Sequence, residues 1–247
     1  MIKSSLTVNE EMYVARPPLF SNVITFDHYI DLIYNTSFMH NVWNSFVIAA
    51  ITTIICLAIG ILGSYAMTRL KYPGRSFFRN SIIISYLMPT AVLFVPMYVF
   101  VSSLGFYDNK YALLIIYPTF VVPYCCYMLI SYFKAIPYAL EEAALIDGCN
   151  RLQTLWYIIM PIALPGIAVV ATFAFTMAWN EYLYAMIMTT SNVQKTATVA
   201  ISGFKYADSA IWGRIMSASV VCSLPVTLLY IVAQSMLISG KYEGSVK

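Results

Sequence analysis

The sequence predicts an all-α, polytopic membrane protein, and three observations carry that reading. Hydrophobic residues make up 60% of the 247 residues and charged residues 10%, where soluble domains run near about 45–50% and about 25%. The apolar residues gather into uncharged runs that reach the roughly 20 residues needed to cross a bilayer. The polar residues between the runs are too few to cover that apolar surface, as a large soluble helical protein would require. Disorder, a nucleic-acid module and a disulfide scaffold are excluded by the same figures. A net charge of +3 is too small to imply a polyanionic partner, and mean hydropathy is +0.74.

Taken in order, residues 1–45 hold no apolar run and form an external segment. Uncharged runs at 46–67, 81–104, 111–133 and 215–240 each supply one span, the last read as 215–238. A fifth uncharged stretch, 152–180, is too long for one span and contains Pro161 and Pro165–Gly166. Its helix is therefore predicted to start near Pro165 and run to 188. Five spans result, forming a transmembrane domain over 46–240, with a connecting loop at 134–164 and a tail at 241–247.

Positive charge fixes the orientation. The loop after the first run holds Arg69, Lys71, Arg75 and Arg79 and no acid, so it is cytoplasmic. Alternation then puts 105–110 and 189–214 outside, and 134–164 and the tail inside. The N-terminal 45 residues fall outside, yet nothing within them could translocate them. The simplest explanation is a preceding membrane helix that is absent from this chain; a true N-out, five-helix protein is the alternative.

Chemistry-bearing side chains are sparse. The cysteines Cys56, Cys125, Cys126, Cys149 and Cys222 form no CxxC pair and no Cys/His cluster at metal spacing. Four lie in apolar runs and read as small packing residues. His28 and His40 both precede the first run, which argues against a haem protein or a histidine proton relay. No metal site is expected.

One segment breaks the charge rule. Between Lys134 and Arg151 the cytoplasmic connection carries Glu141, Glu142 and Asp147 and no base. Anionic headgroups repel such a segment, so protein should hold it. Pro137 suits the first turn of a short helix, the two glutamates its positive end, and Gly148 its stop. Ala143 and Ala144 let a partner surface approach closely. Glu141, about 100° around the helix from Glu142, is expected to face water.

Here the residues carry a family. Glu142-Ala143-Ala144, Gly148 three residues on, and Ile158-Ile159-Met160-Pro161 nine residues after that resemble the E-A-A-x3-G-x9-I-x-L-P signature of ABC importer permeases, with Met160 in place of Leu. Val42-Trp43-Asn44-Ser45, Leu104-Gly105, Trp179-Asn180-Glu181-Tyr182, Trp212-Gly213-Arg214-Ile215-Met216 and the tail from Gln234 to Lys247 are similar to the maltose-type sugar permeases. The resemblance implies a type I importer permease fold usually of six helices, of which the first is missing here. It implies a pore built with a second permease subunit as a heterodimer, two ATPase subunits below, an extracytoplasmic solute-binding protein, and membrane lipid around. It also implies that the acidic segment is a helix seated in a groove of the ATPase. Glu142, Ala143, Ala144 and Gly148 are then coupling contacts, with Ile158 and Pro161 orienting the chain where it re-enters the membrane. No G-x-x-x-x-G-K-[ST] loop is present, and Gly240-Lys241 is followed by Tyr242. ATP is therefore expected on partner subunits, with no cofactor in this chain and no enzymatic activity of its own.

Glu181 is the only charge expected within a span, roughly 24 Å up from Pro165. With Trp179 and Asn180 it could line the solute path, meet the partner permease, or reach external water. Pro89, Pro96, Pro118, Pro123 and Pro225 could kink spans for gating or be the ordinary prolines of membrane helices. A cation-coupled secondary transporter needs more embedded acids or half-helix ion sites. A membrane enzyme needs a Ser/His pair, HExxH or carboxylate dyad that is missing. Within the importer class a phosphate ester or polyamine is the alternative to a sugar.

The topology makes a direct prediction. A cysteine at Ser21, with a native upstream span supplied, reacts with a membrane-impermeant maleimide in intact cells. Labelling that appears only after lysis inverts the orientation.

Overall fold

A computed structural model of the chain describes residues 1–12, 23–206, 209–210 and 212–243, with side chains omitted at 10, 205–206, 209–210 and 236–243. Ser21 and residues 244–247 of the tail lie outside the described residues. The fold is helical. Three short helices, α1 (Ile2–Ser5), α2 (Asn9–Met12) and α3 (Asp27–Tyr34), lead into a 32-residue helix α4 (Phe38–Arg69). Next come α5 (Arg75–Leu87), a 3₁₀ turn (Thr90–Leu93) and α6 (Phe94–Ser103). A second 3₁₀ turn (Lys110–Ala112) precedes α7 (Leu113–Ile116), α8 (Pro118–Ala135) and α9 (Ala139–Ile146). Then α10 (Arg151–Thr154), one π turn (Leu155–Ile159) and α11 (Met160–Trp179) run on as one rod. The chain ends with α12 (Leu183–Met188), α13 (Ala197–Ser202), a two-residue hairpin of β1 (Lys205–Tyr206) with β2 (Ser209–Ala210), and α14 (Trp212–Glu243).

Among the described residues three helices are long and apolar enough to span by themselves: Phe38–Arg69, Arg151–Trp179 and Trp212–Ser235. Two bent pairs can each supply another, for up to five. The bend between Arg75–Leu87 and Thr90–Ser103 is 93°, and that between Lys110–Ile116 and Pro118–Ala135 is 42°. Helix α5 at 13 residues is about 20 Å long, short of the hydrocarbon thickness, so it needs α6 to complete a crossing. Pro89 and Pro118 sit at the two bends. Met88, ahead of Pro89, is extended at ψ 131, as a residue preceding proline is driven to be.

The predicted boundaries shift at two places. The first span begins at Phe38 rather than 46, because the polar residues Asn41, Asn44 and Ser45 are buried in helix. The fourth is 151–179 rather than 165–188, so the connecting loop ends near Asn150 and not at 164. Two effects override the proline argument. Asn150 opens this helix with a capping box, its Oδ1 accepting from Gln153 N (2.9 Å) while Gln153 Oε1 accepts from Asn150 N (2.8 Å). Pro161 then falls in the first turn of α11, two residues after a π turn, where a missing N–H is tolerated. The helix stops at Trp179, nine residues before the expected end.

An arginine of the cluster after α4 is a helix cap. Arg75 donates through Nε to Met67 O and through Nη2 to Thr68 O, both at 2.6 Å, closing the C-terminus of α4. Gly74, at φ +82, makes the turn that brings Arg75 back.

Helix α4 is the spine, flanked by α8 and α11, with α14 on the far side of α11. Ile48, Tyr117, Phe175, Trp179 and Tyr184 fill the outer half of the core. Cys56, Leu129, Phe133, Leu155 and Ile159 fill the inner half. Association within lipid rests on close packing and interhelical hydrogen bonds. Ser64 donates to Cys126 O across α4 and α8 (3.2 Å). A methyl on Gly60 would stand 3.0 Å from Cys125 Cβ, and one on Gly166 would lie 2.6 Å from the Tyr132 ring.

Gly166→Val is expected to force α8 and α11 apart and to lower stability by about 1–3 kcal/mol, the range of core overpacking. Gly63→Ala is the control, since its added methyl meets nothing closer than 3.7 Å. Melting of the two purified variants in detergent measures the difference.

Candidate functional site

The acidic segment forms the short helix α9, starting just after Pro137. Its end is a Schellman closure: Gly148 N donates to Leu145 O (3.2 Å) and Cys149 N to Ala144 O (2.9 Å), with Gly148 at φ +86. The glycine stop read from the sequence is therefore a left-handed position, strained for any residue with a Cβ.

The helix has two faces. Glu142, Ala143, Ile146, Asp147 and Gly148 are exposed, and Ile146 is 86% exposed. Glu141 and Ala144 are buried against the membrane domain. The expectation for Glu141 is thus reversed: it is 0% exposed and does not face water. Its Oε1 lies 2.7 Å from Arg69 Nε, the last residue of α4, and its Oε2 lies 4.0 Å from Arg151 Nη1. Burial pushes the Glu141 carboxyl above its ordinary value, opposed by Arg69 and then by Arg151. Beside this pair a cleft of about 860 Å³ opens between the connection Leu70–Tyr72 and α9, with Glu142, Leu145 and Arg151 along its other side. Ile158 is half-buried in the π turn and Pro161 is exposed two residues beyond it, so both sit on the rod and not on α9.

The second group of predicted residues, Trp179, Asn180 and Glu181, marks the break between α11 and α12. Trp179 is buried and donates through Nε1 to Cys222 O of α14 (3.2 Å), while Asn180 is exposed. Glu181 is not inside a span helix. Its Oε1 accepts from Tyr184 N (2.9 Å), and its Oε2 accepts from Ala185 N (3.1 Å) and Tyr117 Oη (3.0 Å). The carboxylate closes the first turn of α12 and ties it to the bend at Pro118. Tyr184 Oη in turn donates to Thr90 O at the other bend (2.8 Å). Two interruptions of helix meet at this carboxylate, and Tyr184 links them to the third.

Two groups escaped the sequence reading. Arg69 counted only as a sign in a charge tally, although it is buried. At the far end of α4 from α9, Asn41 Nδ2 donates to Asn192 O (2.8 Å) and Lys195 O (2.9 Å), and Asn44 Nδ2 to Val193 O (2.8 Å). Lys110 Nζ donates to Asn44 Oδ1 (2.7 Å). Asp108 Oδ1 accepts from Ser191 N (2.9 Å) and Thr190 N (2.8 Å), amides that hold its carboxyl below the ordinary value. Buried asparagines inside an apolar helix were the available signal. Farther out, Asp31 of α3 pairs with Arg214 of α14, and a methyl on Gly213 would strike the His28 ring at 2.2 Å.

Removing the Glu181 carboxylate leaves two amides and a phenol without an acceptor. Glu181→Ala is expected to cost about 1–3 kcal/mol of stability. Glu181→Gln, which keeps one acceptor oxygen, should lose less. Thermal unfolding of purified protein ranks them; equal stability of all three forms removes the clamp.

The whole chain has known counterparts. Residues 57–239 match the family described as binding-protein-dependent transport system inner membrane component. The inner membrane ABC transporter permease protein YcjP of Escherichia coli (strain K12) is 36% identical over 100% of this chain and 89% of its own length. The trehalose transport system permease protein SugB of Mycobacterium tuberculosis is 30% identical over 98% of this chain and 89% of its own. A bacterial ABC transporter involved in alginate import shares the fold, with a TM-score of 0.80 at 22% identity, over 95% of this chain and 87% of that one. The chain belongs to the binding-protein-dependent transport system inner membrane component family, as a multi-pass ABC importer permease of the cytoplasmic membrane and not itself an enzyme.

Proposed function

We propose that this permease forms one side of the translocation pore for a sugar or oligosaccharide, with a second, different permease subunit forming the other. ATP is bound by two partner ATPase subunits, and an extracytoplasmic binding protein delivers the solute. The observation that carries the coupling part is α9: a helix held to the membrane domain on its Glu141 face, open on its Glu142 face, and closed by Gly148. The exposed strip of Glu142, Ala143, Ile146 and Asp147 combines two acids, one apolar side chain and one residue of small bulk. A basic, shallow groove on an ATPase fits that chemistry. A carbohydrate cargo is supported by the similarity to a trehalose permease and by the shared fold with an alginate importer.

The coupling assignment is tested by charge. Neutralising Glu142 loses an attraction, while reversing it adds repulsion and strands the opposing charge. Glu142→Gln should retain part of the ATPase on the purified complex, and Glu142→Lys should lose most of it. Equal retention removes the electrostatic contact. Uptake of radiolabelled trehalose and maltose, compared with spermidine, by cells with and without the permease tests the cargo class. Uptake of spermidine alone overturns the sugar assignment.

A further inference from the structure

The end of α4 meets α9 through a single buried guanidinium. Arg69 has a side chain 3% exposed, and Glu141 is 0% exposed. Arg69 Nη2 donates to Phe133 O (2.6 Å) and Ile136 O (2.7 Å) at the end of α8, and its Nε lies 2.7 Å from Glu141 Oε1. Tyr138, directly before α9, donates its hydroxyl to Arg69 O (2.9 Å) and stands with its ring centroid 4.6 Å from the guanidinium carbon. Beside these contacts lies the open cleft of about 860 Å³, so side-chain packing does not fill the space between the α4–α5 connection and α9.

A planar guanidinium fixes the directions of its bonds, which an ammonium or an apolar side chain does not. Arg69 therefore holds the end of α4 and the end of α8 in one relative orientation through its two Nη2 bonds, and it faces the inner side of α9 as a close ion pair with Glu141, whose buried oxygens have no hydrogen-bond partner among the described residues. Stability alone does not call for it, because a buried ion pair can often be replaced by apolar residues of similar size without loss. We propose that Arg69 and Glu141 are positioning residues that carry movement of the coupling helix into α4 and α8, so that a push on the exposed face of α9 reorients the spine of the permease. The proposal rests on α9 being the ATPase-facing helix.

The test uses the complex purified with its ATPase subunits in lipid nanodiscs. Cysteines are placed singly at Trp43, Phe46 and Ile54, exposed positions of α4. Their maleimide labelling rates are compared without nucleotide and with ATP plus vanadate. In the otherwise native chain the rates should change on trapping. Glu141→Gln and Arg69→Met should retain the ATPase subunits while that change shrinks about fivefold or more. Arg69→Lys, which keeps the charge and loses the fork, should fall between. The double variant Arg69→Met with Glu141→Leu should regain the native melting temperature without regaining the response. A nucleotide response of native size in the single variants overturns the proposal. So does a double variant that regains response and stability together, or a native chain whose α4 does not respond. Absence of ATPase subunits from the purified native complex overturns instead the reading of α9 on which this rests.

Discussion

A peptide backbone in hydrocarbon has no water to bond to, and any interruption of a helix there leaves amides and carbonyls stranded. This chain interrupts its helices near Pro89, at Pro118 and at Asn180. The rest of the architecture is arranged around supplying those interruptions with partners. Glu181 takes the first amides of α12, Tyr117 donates a hydrogen bond to the same carboxylate, and Tyr184 reaches the carbonyl of Thr90. Thr119 donates to Ile116 O beside the Pro118 bend (2.6 Å). The polar side chains of the outer core are thus there because the backbone is broken, and the breaks are tolerable because those side chains converge.

The end of the bundle that carries α9 solves the same problem with cations. Arg75 closes α4, and Arg69 closes α8 while facing Glu141. The arginines of this cluster thus terminate two helices. Between the two ends the helices rely on small residues. Gly60 and Gly166 let α8 approach α4 and α11 to distances that a methyl group would disturb.

Much of this was legible in the sequence, because the hydropathy runs and the arginine cluster are one-dimensional signals. Gly148 was legible too, since a helix stop at φ +86 needs a glycine. Three features were not. The fourth span starts earlier than Pro161 and Pro165 suggest, because Asn150 caps the helix and it runs on through a π turn and past Pro165, features that leave no mark in composition. Glu181 was counted as a charge in a helix because its partners are backbone amides, which every residue has. Glu141 was turned outward because α9 is too weakly amphipathic for its wheel to select a face; an arginine on another helix selects it. For Glu141, side-chain pairing across elements is where one-dimensional reading stops.

The asparagines near the start of α4 have a separate consequence. Asn41 and Asn44 grip the 192–195 connection by its carbonyls, Ser45 accepts from the Ala197 amide, and Asp108 grips the Thr190 and Ser191 amides. On the connection's side every one of these bonds is made by main chain. Asn192 and Val193 remain exposed and unconstrained in identity by the anchorage. A connection held in this way is a mount with interchangeable fittings at Asn192 and Val193, while Gln194 stays tied because its side chain accepts from Lys110 N (3.1 Å).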